Sequence, residues 1–236
     1  MKTEGSLKQI AKMPLLPEAV YTQLKSAIMN GVFKPGQILR QEDIAQRLGV
    51  SRGPLRETLP KLEAEGLIVS IPHKGCTVVS LAPGEIAEIF ELRAMLESSL
   101  ARAAAQQRDP QATVRLLELN AQMRDLALSN SESDRQRWSE LNYELHSVLL
   151  AVARRRHHMR LVDMARDLAE PYIRMEINLS GDLLEPQREH EMLIEAFAIG
   201  DCQRLERLSR EHVQKTAQRL QDQLSARLPA PAGELD

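Results

Sequence analysis

Three histidines and one asparagine in the second half of the chain have types and spacing suited to holding a metal ion. Asn142 and His146 stand four residues apart, so both project from one face of a helix. His190 lies ten residues before Gly200, and His212 lies eleven after Asp201. If two helices fold back on each other there, a rise of about 1.5 Å per residue puts both histidines roughly 15 Å from the bend, side by side. Three imidazoles with one amide oxygen suit a borderline divalent ion such as Zn²⁺, Ni²⁺ or Mn²⁺. The competing reading is ordinary: single helical histidines usually sit on a surface or satisfy a core.

A second chemistry lies between Ile44 and Ile68, in IAQRLGVSRGPLRETLPKLEAEGLI. Ile44, Ala45 and Leu48 share one face of a short helix, and Gly49 permits the positive φ that ends it. Ser51 is placed to cap the next helix by accepting from its first free N–H groups. Leu55, Leu59 and Leu62 repeat at helical spacing there, while Arg52, Arg56 and Lys61 project elsewhere. Two helices around a tight turn, the second basic on its free side, describe a helix-turn-helix that reads DNA. The pattern then alternates through Leu67, Val69 and Ile71, turns at Pro72–Gly75 and returns through Thr77–Val79. Such a hairpin is a wing, with His73 and Lys74 at its tip suited to the minor groove or backbone. Arg40, just before the helix starting near Gln41, joins the candidate DNA contacts.

The elements that must position these residues are mostly helices. The 236 residues are 43% hydrophobic but only 3% aromatic, so the cores are aliphatic, as helix-rich proteins allow and sandwiches do not. Net charge is −2, yet residues 1–80 hold eleven Lys/Arg against seven Asp/Glu, and residues 81–236 hold twenty against twenty-six. The positive excess lies with the helix-turn-helix, as phosphate contact requires. Cys76 and Cys202 show no metal-type or disulfide pattern, and no apolar run reaches the length of a membrane span. A cytoplasmic protein is expected.

In order, the sequence predicts a flexible arm over 1–16, a DNA-binding domain over 17–80, and a linker over 81–84. An all-α domain over 85–226 and a disordered tail over 227–236 complete it. The first helix begins near Pro17, with Val20, Leu24, Ala27 and Ile28 as its apolar stripe. The second half divides into six helices, near 83–106, 110–129, 134–152, 158–179, 185–199 and 201–226, forming an antiparallel bundle able to enclose a pocket. Arg154–His158 is read as a charged connection, Met159, Met164 and Met175 as core fillers, and Glu85, Glu88 and Glu91 as complements to a helix N-terminus.

The stretches KPGQIL, VSRGPLRETLPKLEAEGLI and PHKGCTVV carry a resemblance. Residues 17–80 resemble the winged helix-turn-helix of the GntR family of bacterial transcriptional regulators. The family's Val-Ser-Arg-x-Pro-x-Arg-Glu-x-Leu is matched by Val50 through Leu59. That likeness implies that Arg52 and Arg56 enter the major groove, their guanidinium forks suited to guanine O6 and N7. It implies that Ser51, His73, Lys74 and Gly75 hold phosphate or the minor-groove side. Gly53 replaces a frequent threonine, and Pro60 removes a backbone bond to Arg56, which is expected to bend the last turns and leave Lys61 to phosphate.

Residues from about 83 to 220 resemble the FCD ligand-binding domain of FadR-type members, through Asn142-Tyr-Glu-Leu-His146, Glu189-His190, Gly200-Asp201 and Glu211-His212. The resemblance implies a metal held by Asn142, His146, His190 and His212. It also places Arg93 at the same cavity, although an ion pair with Glu97 on the helix surface explains that residue equally well. The functional expectation is a homodimeric regulator of a palindromic double-stranded operator. Its effector would be a small organic acid drawn to the cation and Arg93. Repression relieved by ligand is the usual arrangement in similar proteins. Two alternatives stand beside it. One is a metal-dependent hydrolase or lyase fused to a DNA-binding domain, against which no Glu or Asp is placed as a general base. The other is an architectural DNA binder whose bundle only dimerises.

Overall fold

The computed structural model describes residues 16–71, 75–129 and 131–225. The expected terminal arm and tail fall almost wholly outside those residues, and so do His73 and Lys74. The first compact unit is built from α1 (Leu16–Met29), β1 (Ile38–Leu39), α2 (Gln41–Leu48), α3 (Arg52–Ala64), β2 (Ile68–Ile71) and β3 (Gly75–Val78). Val20, Leu24 and Ile28 recur at one face of α1 and close over Leu55, Leu59 and Leu62 of α3. The sheet runs β1-β3-β2, entirely antiparallel, with Ile68 opposite Val78 and Leu39 opposite Cys76. Its buried positions, Leu39, Ile68, Cys76 and Val78, seal the open side of the three helices.

Gly49 ends α2 in the left-handed region at φ 64°, and its N–H reaches the Gln46 carbonyl. Ser51 differs from expectation. It occupies the N-cap of α3 with an extended backbone, but its side chain makes no capping bond. Helix α3 continues through Pro60 to Ala64. Gly75 is required by the backbone: its φ is +97°, and a Cβ there would lie 2.7 Å from the Leu39 carbonyl oxygen of β1.

The second unit comprises α4 (Pro83–Gln107), α5 (Pro110–Ser129), α6 (Glu132–Ala151), α7 (Arg156–Ser180), α8 (Leu184–Ile199) and α9 (Cys202–Ser225). The alanines at 101 and 103–105 let neighbouring helices approach α4 closely, and Leu116, Leu119, Leu145, Leu149 and Phe197 fill the interior. Helices α8 and α9 turn at Gly200, φ 73°, where a Cβ would meet Arg108 Nε at 2.6 Å.

Three smaller expectations are corrected. Helix α6 starts at Glu132, not Asp134, because Ser131 is its N-cap and accepts from the Asp134 N–H at 3.2 Å. Arg156, His157 and His158 form the first turn of α7 and are no connection. Met164 is 37% exposed and fills no core, whereas Met159 and Met175 do pack against it.

Candidate functional site

Two groups of candidate functional side chains emerge, one exposed and one buried. On α3, Leu55, Leu59 and Leu62 are locked into the core, and Thr58 donates its hydroxyl proton toward the carbonyls of Pro54 and Pro17, at 2.9 and 3.0 Å. The helix is therefore fixed in rotation, and Arg52 and Arg56 are presented to solvent one turn apart. Arg52 makes only a surface pair with Glu42 at 3.1 Å, both side chains more than half exposed. Ser51 and Arg40 are exposed at the N-caps of α3 and α2. Lys61 is set apart: five residues beyond Arg56, it is turned about 140° round the helix. It lies 3.9 Å from Glu18 and 6.0 Å from the centre of the Tyr21 ring.

In the bundle, α6 carries Asn142 and His146, α8 carries His190, and α9 carries His212. All four are buried. One potential ligand nitrogen from each histidine lies within 4.8 Å of the others. His146 Nε2 and His190 Nε2 are 3.2 Å apart, and the His212 ring centre is 4.9 Å from both other rings. Among the described residues, Asn142 Oδ1 and His190 Nδ1 are buried without hydrogen-bond partners, so the cluster is not self-satisfied. Arg93 and Asn142 line the same cavity as His146 and His212. Arg93 does bond Glu97, at 2.7 Å, but the pair is buried rather than on the surface, and its Nη1 has no partner.

Burial drives the pKa of His146 well below its ordinary value, helped by His212 and His190. It does the same for His190, where Glu189 opposes the shift. Both rings are thus neutral near pH 7 and have lone pairs free for coordination.

Several residues of this cavity escaped the sequence reading as functional groups. Glu189 Oε2 sits 2.6 Å from His212 Nδ1, and its Oε1 lies 3.3 Å from Arg219 and 3.2 Å from Lys215. Burial raises the pKa of Glu189, but the bond and charge of His212 and the charge of Arg219 outweigh it and bring the value to about 2. A carboxylate on Nδ1 leaves Nε2 of His212 to face a ligand. Arg166, Glu170 and Glu176 of α7 and Thr216 and Arg219 of α9 complete the wall. His212, Thr216 and Arg219 recur at i, i+4 and i+7, a polar stripe visible in the sequence. Arg166 gave no comparable signal.

A winged helix-turn-helix joined to a six-helix bundle with a polar cavity is an architecture suited to a DNA-binding regulator. Known proteins bear this out. Residues 16–78 match bacterial regulatory proteins of the gntR family, and residues 88–215 match the FCD domain. The chain is 30% identical over 177 residues to the HTH-type transcriptional regulator YdhC of Bacillus subtilis (strain 168), spanning 74% of this chain and 77% of that one. It is 29% identical over 199 residues to the HTH-type transcriptional repressor GlaR of Escherichia coli (strain K12), spanning 82% and 90%. The fold matches E. coli McbR/YncC with a TM-score of 0.80 at 20% identity, over 90% of this chain and all of that one. The protein belongs to the GntR family of bacterial transcriptional regulators, with a C-terminal FCD domain. Among the described residues, no helix is long and apolar enough to cross a membrane.

Proposed function

We propose that this regulator senses a small organic acid in its bundle, through a divalent ion held by His146, His190 and His212 with Asn142 as a weaker fourth ligand. The observation that carries the proposal is the convergence of three buried imidazoles within 4.8 Å, one of them braced by Glu189. The donor set suits Zn²⁺, Ni²⁺ or Mn²⁺, and the neutral amide of Asn142 binds such ions less strongly than a carboxylate. The ion would supply a Lewis-acidic partner for one carboxylate oxygen, and the free Nη1 of Arg93 a charge-assisted donor for the other. The sensing unit is residues 85–226, and the DNA-reading unit is residues 17–80.

On the DNA side, Arg52 and Arg56 read base edges of a palindromic operator. Arg40, Ser51 and Gly75, with His73 and Lys74, hold the backbone, and Lys61 does so at the margin. Two copies bind as a homodimer, one half-site each. Repression is favoured by the likeness to GlaR, a transcriptional repressor that is 29% identical over most of both chains. Metal analysis of the purified protein, followed by a thermal-shift screen against small carboxylates, tests the reading. Bound metal that vanishes in His146→Ala, His190→Ala and His212→Ala, with a carboxylate that raises Tm, is the expected result. Survival of both metal and carboxylate response in those variants would sink it.

A further inference from the structure

Helix α7 belongs to both units at once. One side lines the cavity through Arg166, Glu170, Ile173 and Glu176, while Asp167 and Leu168 meet the DNA-binding unit. The side chains between are joined without a gap. Arg166 donates from Nη2 to the Tyr143 carbonyl at 2.7 Å and from Nη1 to Ser147 Oγ at 2.9 Å, with its guanidinium 4.2 Å from the Tyr143 ring centre. Tyr143 donates its hydroxyl proton to Asp167 Oδ1 at 2.7 Å. Asp167 Oδ2 pairs with Lys25 Nζ of α1 at 2.5 Å, and Lys25 also reaches Glu65 Oε2 at 2.9 Å. Glu65 is the C-cap of the recognition helix α3, and Tyr21 donates to its Oε1 at 2.5 Å.

From this continuity we infer that Lys25, held between Asp167 and Glu65, is the clasp that carries the state of the cavity to the recognition helix. The inference rests on the reading of the cavity as a sensing site. Tyr143 and His146 sit three residues apart on α6, so fixing His146 as a ligand fixes the turn that presents Tyr143 to Asp167. A carboxylate drawing Arg166 into the cavity takes it off the Tyr143 carbonyl and loosens that turn. Pro171 has no N–H to offer the Asp167 carbonyl four residues back, so α7 lacks one ladder bond where the clasp is seated. Asp167 is 4% exposed, and a carboxylate left there without Lys25 is costly, which favours two discrete arrangements over gradual slippage.

The test uses the full chain with Zn²⁺ alone as the probe. Trp138, the one tryptophan of the sequence, has its ring centre 5.6 Å from that of His190, so its fluorescence reports the cavity. Hydrogen–deuterium exchange in α1 and α3 reports the output. In the wild type, Zn²⁺ shifts Trp138 emission and slows exchange in α1 and α3 by about 5- to 150-fold, the usual span of coupling between sites. Asp167→Asn and, on the opposite side, Lys25→Met keep the Trp138 response at the same Zn²⁺ midpoint and lose the exchange response. A full exchange response in either variant overturns the clasp, as does a wild type whose Trp138 responds while α1 and α3 do not. A wild type without bound metal or Trp138 response counts against the metal reading alone, and Arg166→Met then decides. The clasp stands if that change speeds exchange in α1 and α3 of the wild type and adds nothing in Asp167→Asn. It falls if the two backgrounds respond equally.

Discussion

The two units bury opposite things. Among the described residues of the DNA-binding unit, Thr58 is the one buried polar side chain, and it is hydrogen-bonded twice. The bundle buries Arg93, Glu97, Asn142, His146, Glu170, His190, His212 and others beside them. Burying charge or an unpaired polar atom is unfavourable, and a leucine-rich bundle of this size has no need of it for stability. The DNA-binding unit instead keeps Arg52 and Arg56 solvated over a core that is apolar apart from Thr58, so a charged partner such as DNA would take little from the fold. The contrast shows where buried polarity weighs on stability: lightly in the DNA-binding unit, heavily in the bundle.

The largest effect is expected where the reader's core is cut. Leu55 is fully buried, and Leu55→Ala should cost about 2–5 kcal/mol by lost transfer energy and a residual cavity. Circular dichroism should show part of the helix signal lost at lower urea, while Trp138 fluorescence, which sees only the bundle, keeps its midpoint. Coincident shifts in both signals would erase the distinction between two cores.

Acid should strike the bundle instead. Below about pH 6.5 the unfolded chain takes protons at His146 and His190 that the native, buried rings refuse. Stability of the metal-free protein should therefore be flat above that pH and fall beneath it, by up to about 1.4 kcal/mol per pH unit for each ring. Urea midpoints of the bundle at pH 7 and pH 5.5, measured with a chelator present, check this. A midpoint insensitive to pH would mean the rings are solvated.

Glu189→Gln sharpens the comparison within the bundle itself. It keeps the shape but loses the charge on His212 Nδ1, and loss of such a partner typically weakens metal binding about 10- to 100-fold. Calorimetric titration with Zn²⁺ should show that loss with the stoichiometry preserved. An unchanged affinity would reduce Glu189 to a partner of Arg219 and Lys215.

How far these arrangements were legible in the sequence follows from how local their causes are. Gly49, the Leu55/Leu59/Leu62 stripe and the alternation from Leu67 to Ile71 act within a few residues, so the winged helix-turn-helix could be read directly. The meeting of His190 with His212 was readable because one turn at Gly200 sets two helices antiparallel with equal arms. The approach of His146 was not fixed by spacing, since it depends on how α6 packs across the bundle; grouping it with the other two rested on residue type and was strengthened by the family resemblance. Arg166, Glu170 and Glu176 stayed hidden because charged residues on an amphipathic helix read as its solvated face, and it is the packing of α7 against its neighbours that buries them. The Ser51 cap failed for a different reason. Local chemistry allows the bond but cannot decide whether the hydroxyl takes it.

The smallest effects separate two cations on one helix. Arg56 is exposed on the same face as Arg52, while Lys61 leans toward Glu18 and the Tyr21 ring. Arg56→Ala should relax sequence preference, losing about 1–3 kcal/mol of discrimination at one position of a site selected from random duplexes. Lys61→Ala should leave preference intact and weaken all sequences alike, by less, with a shallower salt dependence only if the lysine leaves Glu18 for a phosphate. Fluorescence anisotropy on matched and mismatched duplexes at two salt concentrations distinguishes them. A change of preference in Lys61→Ala would move the reading face round the helix and place this cation among the base readers. It would also bring the DNA contact to about one turn from Glu65, where the DNA-binding unit meets the bundle.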